Sequence, residues 1–204
     1  AVVTQCDSMT CVISAMKGTG VPAPEAIAYC EDPGVNDRPF YVMSYVEGII
    51  PVDPREVASR YDEAARRHMG EHLIDVLATL HTLDPAAVGL ADFGKPQGFI
   101  ARQVKRFTGQ IETSITREVP ELKELAARLA SCIPAESSAT IIHGDYRLDN
   151  CIMNDRGDII AVLDWEMATL GDPLADLGTA LCYWVEAADD AAFLEHRFGP
   201  THVE

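Results

Sequence analysis

The chain has 204 residues, 48% of them hydrophobic, and 32 Asp and Glu against 16 Lys and Arg give a formal net charge of −16. This charge opposes binding to nucleic acid or to an anionic membrane, and no apolar run approaches the ~18 residues that suggest a membrane-spanning helix. Because the N-terminal residues also lack the pattern of a signal peptide, we expect a cytoplasmic protein of one large domain or two small lobes.

The six cysteines are scattered, with no C-x-x-C pair and no paired His spacing that would indicate a zinc site. We therefore expect reduced thiols. They are Cys6, Cys11, Cys30, Cys132, Cys151 and Cys182.

The first 47 residues predict part of a β-rich lobe. The stretch VISAMKGTG is typical of the end of a helix, closed by Gly18 and Gly20, and the prolines of VPAP cannot continue it. AIAYCED and RPFYVMSYVEG are rich in aromatic and β-branched residues and are separated by DPGVND. They predict two antiparallel strands joined by a loop.

From residue 48 to residue 204 the pattern predicts a mainly helical lobe. In DEAARRHMGEHLIDVLATLHTL, five apolar residues at spacings of three and four predict a core helix: Met69, Leu73, Val76, Leu77 and Leu80. GFIARQVKRFTGQIETSI, ELKELAARLASCI and PLADLGTALCYWVEAA predict further helices. ATIIH and DIIAVLDW predict short strands, and the NDRG sequence before the second of these predicts a hairpin turn.

Three polar residues around this hairpin indicate a chemical function. Asp145 follows a predicted strand, Asn150 lies in the same loop, and Asp164 ends the hairpin, so the hairpin would bring all three to one rim. A carboxylate that accepts a hydroxyl proton, with an amide and a carboxylate that hold Mg²⁺, is the minimal set for phosphoryl transfer from ATP. A lone Asp in a turn would more simply cap backbone amides. Here the order and spacing match the kinase pattern H-x-D-x-x-x-x-N followed by a metal-binding Asp.

The motifs IIHGDYRLDN, AVLDWEMATLGDPLADL and GVPAPEAIAYCEDPGVNDRPFYVMSYVEG resemble the aminoglycoside phosphotransferase (APH/choline kinase-like) family, most of all its branch associated with acyl-CoA dehydrogenases. The resemblance runs from about Val12 to about Trp184. It implies an α+β, protein-kinase-like two-lobed fold with a truncated β-rich N-lobe and a mainly helical C-lobe. It also implies that Asp145 is the catalytic base or orients the substrate hydroxyl, and that Asn150 and Asp164 bind Mg²⁺.

Other residues acquire candidate roles from the same resemblance. Arg147 is a candidate for stabilising charge on the transferred phosphate, and a salt bridge to Asp149 is an equally good alternative. Asp176 resembles the buried Asp that supports the catalytic loop in this fold. Asp172 either contacts substrate or caps a helix.

FYVMSYVEG resembles the strand and hinge between the lobes of a kinase. Backbone groups from Ser44 to Val46 would then bond the adenine of ATP, and Met43 would line the pocket, although plain strand packing also explains Met43. Arg102, Arg106 and Gln110 share a predicted helix face and could reach an anionic substrate, but a solvated face is the simpler interpretation.

The N-terminal residues depart from the family pattern. A kinase uses a Gly-rich loop, a strand Lys and a helix Glu, and the eleven residues before VISAMKGTG cannot contain them. We therefore expect a fragment of a kinase. The favoured function is ATP- and Mg²⁺-dependent transfer of a phosphoryl group to a hydroxyl of a small molecule, either hydroxyacyl-CoA-like or aminoglycoside-like. The alternative is an inactive kinase-like binding module, and the sequence does not specify an oligomeric state.

Overall fold

The computed structural model describes residues 8–184 and 190–191. The predictions made for Cys6 and for the last residues of the final helix lie outside this part. The helices are α1 (Ser8–Ala15), α2 (Pro54–Arg60), α3 (Glu63–Thr82), α4 (Phe99–Ser114), α5 (Pro120–Ser131) and α6 (Pro173–Tyr183). The strands are β1 (Ala26–Cys30), β2 (Phe40–Met43), β3 (Thr140–Ile142), β4 (Cys151–Met153), β5 (Ile159–Val162) and β6 (Thr169–Gly171).

The N-terminal elements form as predicted. Helix α1 is followed by Gly18 and Gly20, whose φ angles of 79° and 88° lie in the left-handed region that glycine adopts without strain. Strands β1 and β2 pair antiparallel, with Ala26 opposite Met43. Helix α1 also contacts the 3-10 turn Trp165–Met167, so this small unit packs directly against the segment that follows Asp164.

Helix α3 supplies the centre of the hydrophobic core. All five apolar residues of its predicted stripe are buried, each with an exposed fraction of 4% or less. The helix begins at an N-cap, Asp62, whose carboxylate accepts a hydrogen bond of 2.8 Å from the Ala65 N–H. The prediction of a core helix with this buried face is confirmed.

Two short antiparallel pairs of strands lie against α3. Strand β3 pairs with β6, and the Thr140 hydroxyl donates to the His81 carbonyl of α3 over 2.7 Å. Strand β4 pairs with β5 as the predicted hairpin. Strand β6 was not predicted, because three residues are too few to show an alternating pattern.

The turn of the β4–β5 hairpin is fixed to α3 by two histidines. His68 Nε2 lies 2.7 Å from Asp158 Oδ1, and the Ile159 N–H donates to His72 Nδ1 over 2.9 Å. The two imidazole rings stack with their centroids 5.5 Å apart. The hairpin that separates Asn150 from Asp164 is therefore held against the core helix.

Helices α4 and α5 pack on each other and remain largely at the surface. Phe99 is the buried residue of α4, and no residue of α5 is buried. No helix in the described ranges is long and apolar enough to cross a membrane. The predicted division between residues 1–47 and 48–204 stays a prediction.

One expectation about the cysteines is wrong. Cys11 is disulfide-bonded, whereas Cys30, Cys132, Cys151 and Cys182 are free thiols as expected. Spacing alone gave no sign of this bond, because the six cysteines follow no recognisable disulfide pattern.

Candidate active site

The loop from His143 to Asn150 is anchored by a buried carboxylate on α6. Asp176 is fully buried, and its two oxygens accept hydrogen bonds of 2.7 Å from the N–H groups of His143 and Gly144. The same carboxylate lies 3.0 Å from His81 Nε2. Asp176 therefore fixes the start of the loop, in the supporting position that the resemblance implies.

Gly144 allows this loop to turn sharply. Its φ of +86° favours glycine, and a Cβ at this position would lie 2.6 Å from the Met167 carbonyl oxygen. A side chain here would push the loop away from the Trp165–Met167 turn. The glycine thus sets how closely the two segments approach.

His143 connects the loop to the residue that precedes Asp164. Its Nε2–H donates to the Leu163 carbonyl over 2.8 Å, and its Nδ1 accepts from the Asp145 N–H over 3.3 Å. These bonds require the neutral imidazole, and burial lowers the pKa of His143, which favours the same form. The ring also packs against Trp165, with centroids 4.7 Å apart.

Asp145 is held by one of its two carboxylate oxygens. Oδ2 accepts from Arg147 Nε at 3.2 Å and from Asn150 Nδ2 at 3.1 Å. Among the residues that the structure describes, none donates a hydrogen bond to Oδ1 of Asp145. This oxygen is therefore available to accept a hydrogen bond from a substrate hydroxyl.

Asn150 is buried at the end of the 3-10 turn Leu148–Asn150, and its amide group is oriented by Asp145. Its Nδ2 donates to the Asp145 carbonyl at 2.8 Å as well as to the carboxylate. Because Nδ2 is used in this way, Oδ1 is the atom that Asn150 can offer to a cation. The Asn150 carbonyl accepts from the Leu163 N–H over 2.8 Å, which brings the end of β5 beside the loop.

Asp164 follows that contact directly and has an unusual backbone. Its φ of 62° and ψ of 55° are left-handed, and in the described ranges it is the one non-glycine residue with positive φ. Such a conformation costs of order 1 kcal/mol or more and is concentrated at functional sites. The exposed Asp164 carboxylate and the Asn150 amide oxygen are hard oxygen donors on neighbouring segments, a donor set that fits Mg²⁺.

Arg147 forms the salt bridge to Asp149 that the sequence analysis gave as one alternative, and a second salt bridge to Asp145. Its Nη1 donates to Asp149 Oδ2 at 2.6 Å, while Nε donates to Asp145. Burial opposes its charge, but the carboxylates of Asp149 and Asp145 outweigh that effect and raise the pKa of Arg147. The guanidinium is thus charged and immediately beside Asp145.

Sequence reasoning missed a further contact of this arginine. The guanidinium carbon lies 4.8 Å from the centroid of the Tyr183 ring at the end of α6. No local motif marks Tyr183. The available signal was its spacing of seven residues from Asp176 on a predicted helix, which places both residues on one helix face.

The predicted hinge, from Met43 to Val46, lies at the end of β2. Met43 is partly exposed, and the Ser44 N–H donates to the Glu25 carbonyl over 2.8 Å, so it is not free for adenine. The Val46 N–H has no hydrogen-bond partner within the described part of the chain. The backbone then joins the hairpin, because Ile49 forms an antiparallel bridge with Met153 of β4.

Two other candidates have structural roles in the described part. Asp172 caps α6 by accepting from the Leu174 N–H at 3.0 Å, and it also accepts from the Ser137 hydroxyl at 2.9 Å. Arg102 donates to the backbone carbonyls of Gln97 and Lys95, which fastens the loop before α4. Of the two roles considered for Asp172, the structure shows helix capping.

Residues 2–200 match the family described as the phosphotransferase enzyme family, APH. The chain belongs to this family. It is 35% identical over 179 residues to acyl-CoA dehydrogenase family member 10 of Mus musculus, covering 87% of this chain and 17% of that protein. The chain thus spans less than a fifth of the length of this relative.

Solved structures of the family share the fold. A proposed aminoglycoside phosphotransferase from Ralstonia eutropha JMP134 aligns with a TM-score of 0.81 and 36% identity, over 90% of this chain and 56% of that chain. The aminoglycoside phosphotransferase APH(3'')-Id from Streptomyces rimosus, in complex with ADP and streptomycin, aligns with a TM-score of 0.58 and 21% identity, over 86% and 65% of the two chains. The prediction of an α+β, kinase-like phosphotransferase fold is confirmed.

Proposed function

We propose that the protein transfers the γ-phosphoryl group of ATP, with Mg²⁺, to a hydroxyl group of a small molecule. The observation that carries this proposal is the hydrogen bonding of the Asp145 carboxylate. Oδ2 is held by Arg147 and Asn150, while Oδ1 has no partner among the described residues. A carboxylate held in this way can orient an acceptor hydroxyl with its second oxygen and receive its proton during attack on phosphorus.

Arg147 would stabilise charge near the same carboxylate. It is charged, its position is fixed by Asp149, and its remaining N–H groups can donate to phosphate oxygens. Asn150 Oδ1 and the Asp164 carboxylate would hold Mg²⁺. When bound, this ion would neutralise the negative charge of the phosphates.

The hinge would bind the nucleotide base. The Ser44 N–H is already used by Glu25, so we assign adenine to the Ser44 carbonyl and the Val46 N–H, with Met43 beside the ring. The Streptomyces rimosus enzyme was solved with ADP, which supports a nucleotide in this fold.

Two classes of acceptor are compatible with this proposed reaction. The mouse relative is an acyl-CoA dehydrogenase family member, which together with the sequence motifs favours a hydroxyacyl-CoA-like acceptor. The streptomycin complex of the Streptomyces rimosus enzyme and the net charge of −16 favour a cationic aminoglycoside-like acceptor. We favour the first class, because local groups at a site outweigh net charge in ligand choice.

The test is ATP-dependent phosphorylation of hydroxyacyl-CoAs, aminoglycosides, choline and sugars, compared between the wild type and Asp145→Asn. We expect the substitution to lower kcat/KM by about 10² to 10⁴ for the acceptor that reacts, as removal of a general base does. Asp155→Asn is the matched control, because it removes an equal charge from the exposed hairpin turn. Equal activity of Asp145→Asn and the control would overturn the proposal.

A further inference from the structure

Helix α6 contacts the catalytic loop at two places. Near its beginning, Asp176 accepts hydrogen bonds from the backbone of His143 and Gly144. At its end, the Tyr183 ring lies against the guanidinium of Arg147. Seven residues span about two helical turns, so both side chains leave the same face of α6 about 10 Å apart along its axis.

Arg147 is held by three different kinds of contact. Its Nε donates to Asp145 Oδ2, its Nη1 donates to Asp149 Oδ2, and the Tyr183 ring covers the guanidinium at 4.8 Å. The two carboxylates fix the edge of the planar group, and an aromatic ring attracts its charged face. The three contacts together leave Arg147 little freedom to change rotamer.

We propose that Tyr183 is a positioning residue for phosphoryl transfer and acts through Arg147. With the ring in place, Nε remains on Oδ2 of Asp145, so Oδ1 stays free for the acceptor hydroxyl. The N–H groups of Arg147 that face neither carboxylate stay oriented for the transferred phosphoryl group. This inference rests on the proposed function, since it assigns Tyr183 a part in the same reaction.

The ring of Tyr183, and not its hydroxyl, makes the contact. The guanidinium carbon lies over the ring, 4.8 Å from its centroid, and no hydrogen bond joins the Tyr183 hydroxyl to a described residue. Phenylalanine should therefore replace tyrosine with little loss, whereas leucine should not. This difference separates a ring contact from a role of the phenol group.

The first experiment compares steady-state kinetics of Tyr183→Leu and Tyr183→Phe. We expect Tyr183→Leu to lower kcat by about fivefold, the size of one exposed cation–π contact, with the KM for ATP unchanged. Tyr183→Phe should restore most of this loss. Leu181→Ala is the matched control on the same helix, because Leu181 is 61% exposed, and it should retain wild-type kinetics.

A double-mutant cycle then tests whether Tyr183 acts through Arg147. In an Arg147→Gln background, Tyr183→Leu should cause no further loss of kcat, because the contact is already absent. Losses that multiply in the double mutant would overturn the inference. So would a Tyr183→Leu variant with wild-type kcat.

A nuclear magnetic resonance measurement gives a readout that needs no turnover. The Arg147 Nε–H should exchange slowly with solvent in the wild type and faster in Tyr183→Leu. Equal exchange rates in the two proteins would overturn the inference even if the protein is an active kinase. If the wild type phosphorylates no acceptor, the proposed function fails and the catalytic role of Tyr183 fails with it, whereas the exchange rates still report the ring contact.

Discussion

Asp176 shows how one buried carboxylate orders the loop from His143 to Asn150. Both oxygens are used by backbone N–H groups at 2.7 Å, and the side chain is fully buried. Hydrogen bonds to a charged acceptor are roughly twice as strong as neutral ones. These bonds fix the backbone just before Asp145, and the His143 imidazole adds hydrogen bonds to the Leu163 carbonyl and from the Asp145 N–H.

Replacement of Asp176 by Asn should therefore cost stability and activity together. The amide has one acceptor oxygen and places an NH₂ group near a backbone N–H, so we expect a loss of about 1–3 kcal/mol in the free energy of unfolding. Urea denaturation would measure this loss. The control is Asp75→Asn, an exposed position on α3, where a change within about 0.5 kcal/mol is expected. A similar small change at Asp176 would contradict this account.

At the residue scale, the sequence was most informative where function requires particular side chains. Asp145, Asn150 and Asp164 could be grouped because they lie within one loop and hairpin, so local chain geometry brings them together. The contact between Arg147 and Tyr183 depends on how α6 packs, which no short motif encodes. Likewise, nothing in the sequence showed that the Ser44 N–H is already bonded to Glu25.

At the scale of elements, long periodic patterns predicted structure, whereas some of the shortest elements gave no recognisable signal. Helix α3 has 20 residues and five buried apolar positions at regular spacing, and it was predicted with its buried face. Strand β6 and helix α2 were missed, since three and seven residues give little periodicity. Strand β6 forms through pairing with β3, which is a tertiary contact.

The buried face of α3 allows a test with adjacent residues. Leu73 is 1% exposed and Ile74 is 47% exposed, although both are large aliphatic residues in the same helical turn. We expect Leu73→Ala to lower the free energy of unfolding by about 2–5 kcal/mol, because it leaves a cavity in the core. Ile74→Ala should cost much less. Equal losses in chemical denaturation would contradict the assigned helix face.

The hairpin turn should make the free energy of unfolding depend on pH through Asp158. Hydrogen bonds from the Asn154 side chain and from His68 lower the pKa of Asp158 to about 2, below the ordinary value of about 3.9. The stabilisation that these hydrogen bonds give the folded protein is therefore complete above about pH 5 and is lost as the pH falls toward 2. Asp158→Asn should be less stable at pH 7 and should lose less stability on acidification. Thermal unfolding between pH 2 and 7 would measure both effects. The prediction is contradicted if the melting temperature of Asp158→Asn falls with pH as steeply as that of the wild type.

At the scale of the whole molecule, the site depends on elements that are far apart in sequence. Helix α1 packs on the turn after Asp164, α3 holds the hairpin, and α6 holds the loop of Asp145. The family resemblance of the sequence motifs implied the kinase-like fold, and the comparisons confirm it. The acceptor could not be derived in the same way, because substrate choice depends on surfaces that the catalytic motif does not specify.

The most direct test of the account is calorimetric titration of ATP, with and without Mg²⁺, into the protein and into its Asp164→Asn variant. Asparagine tolerates the left-handed backbone of this position, so the variant removes the charge without adding strain. We predict binding that depends on Mg²⁺ and is weakened about tenfold or more in Asp164→Asn, with Asp155→Asn unchanged. Binding of equal affinity in wild type and Asp164→Asn, or binding indifferent to Mg²⁺, would contradict the assignment of a metal-assisted phosphotransferase site.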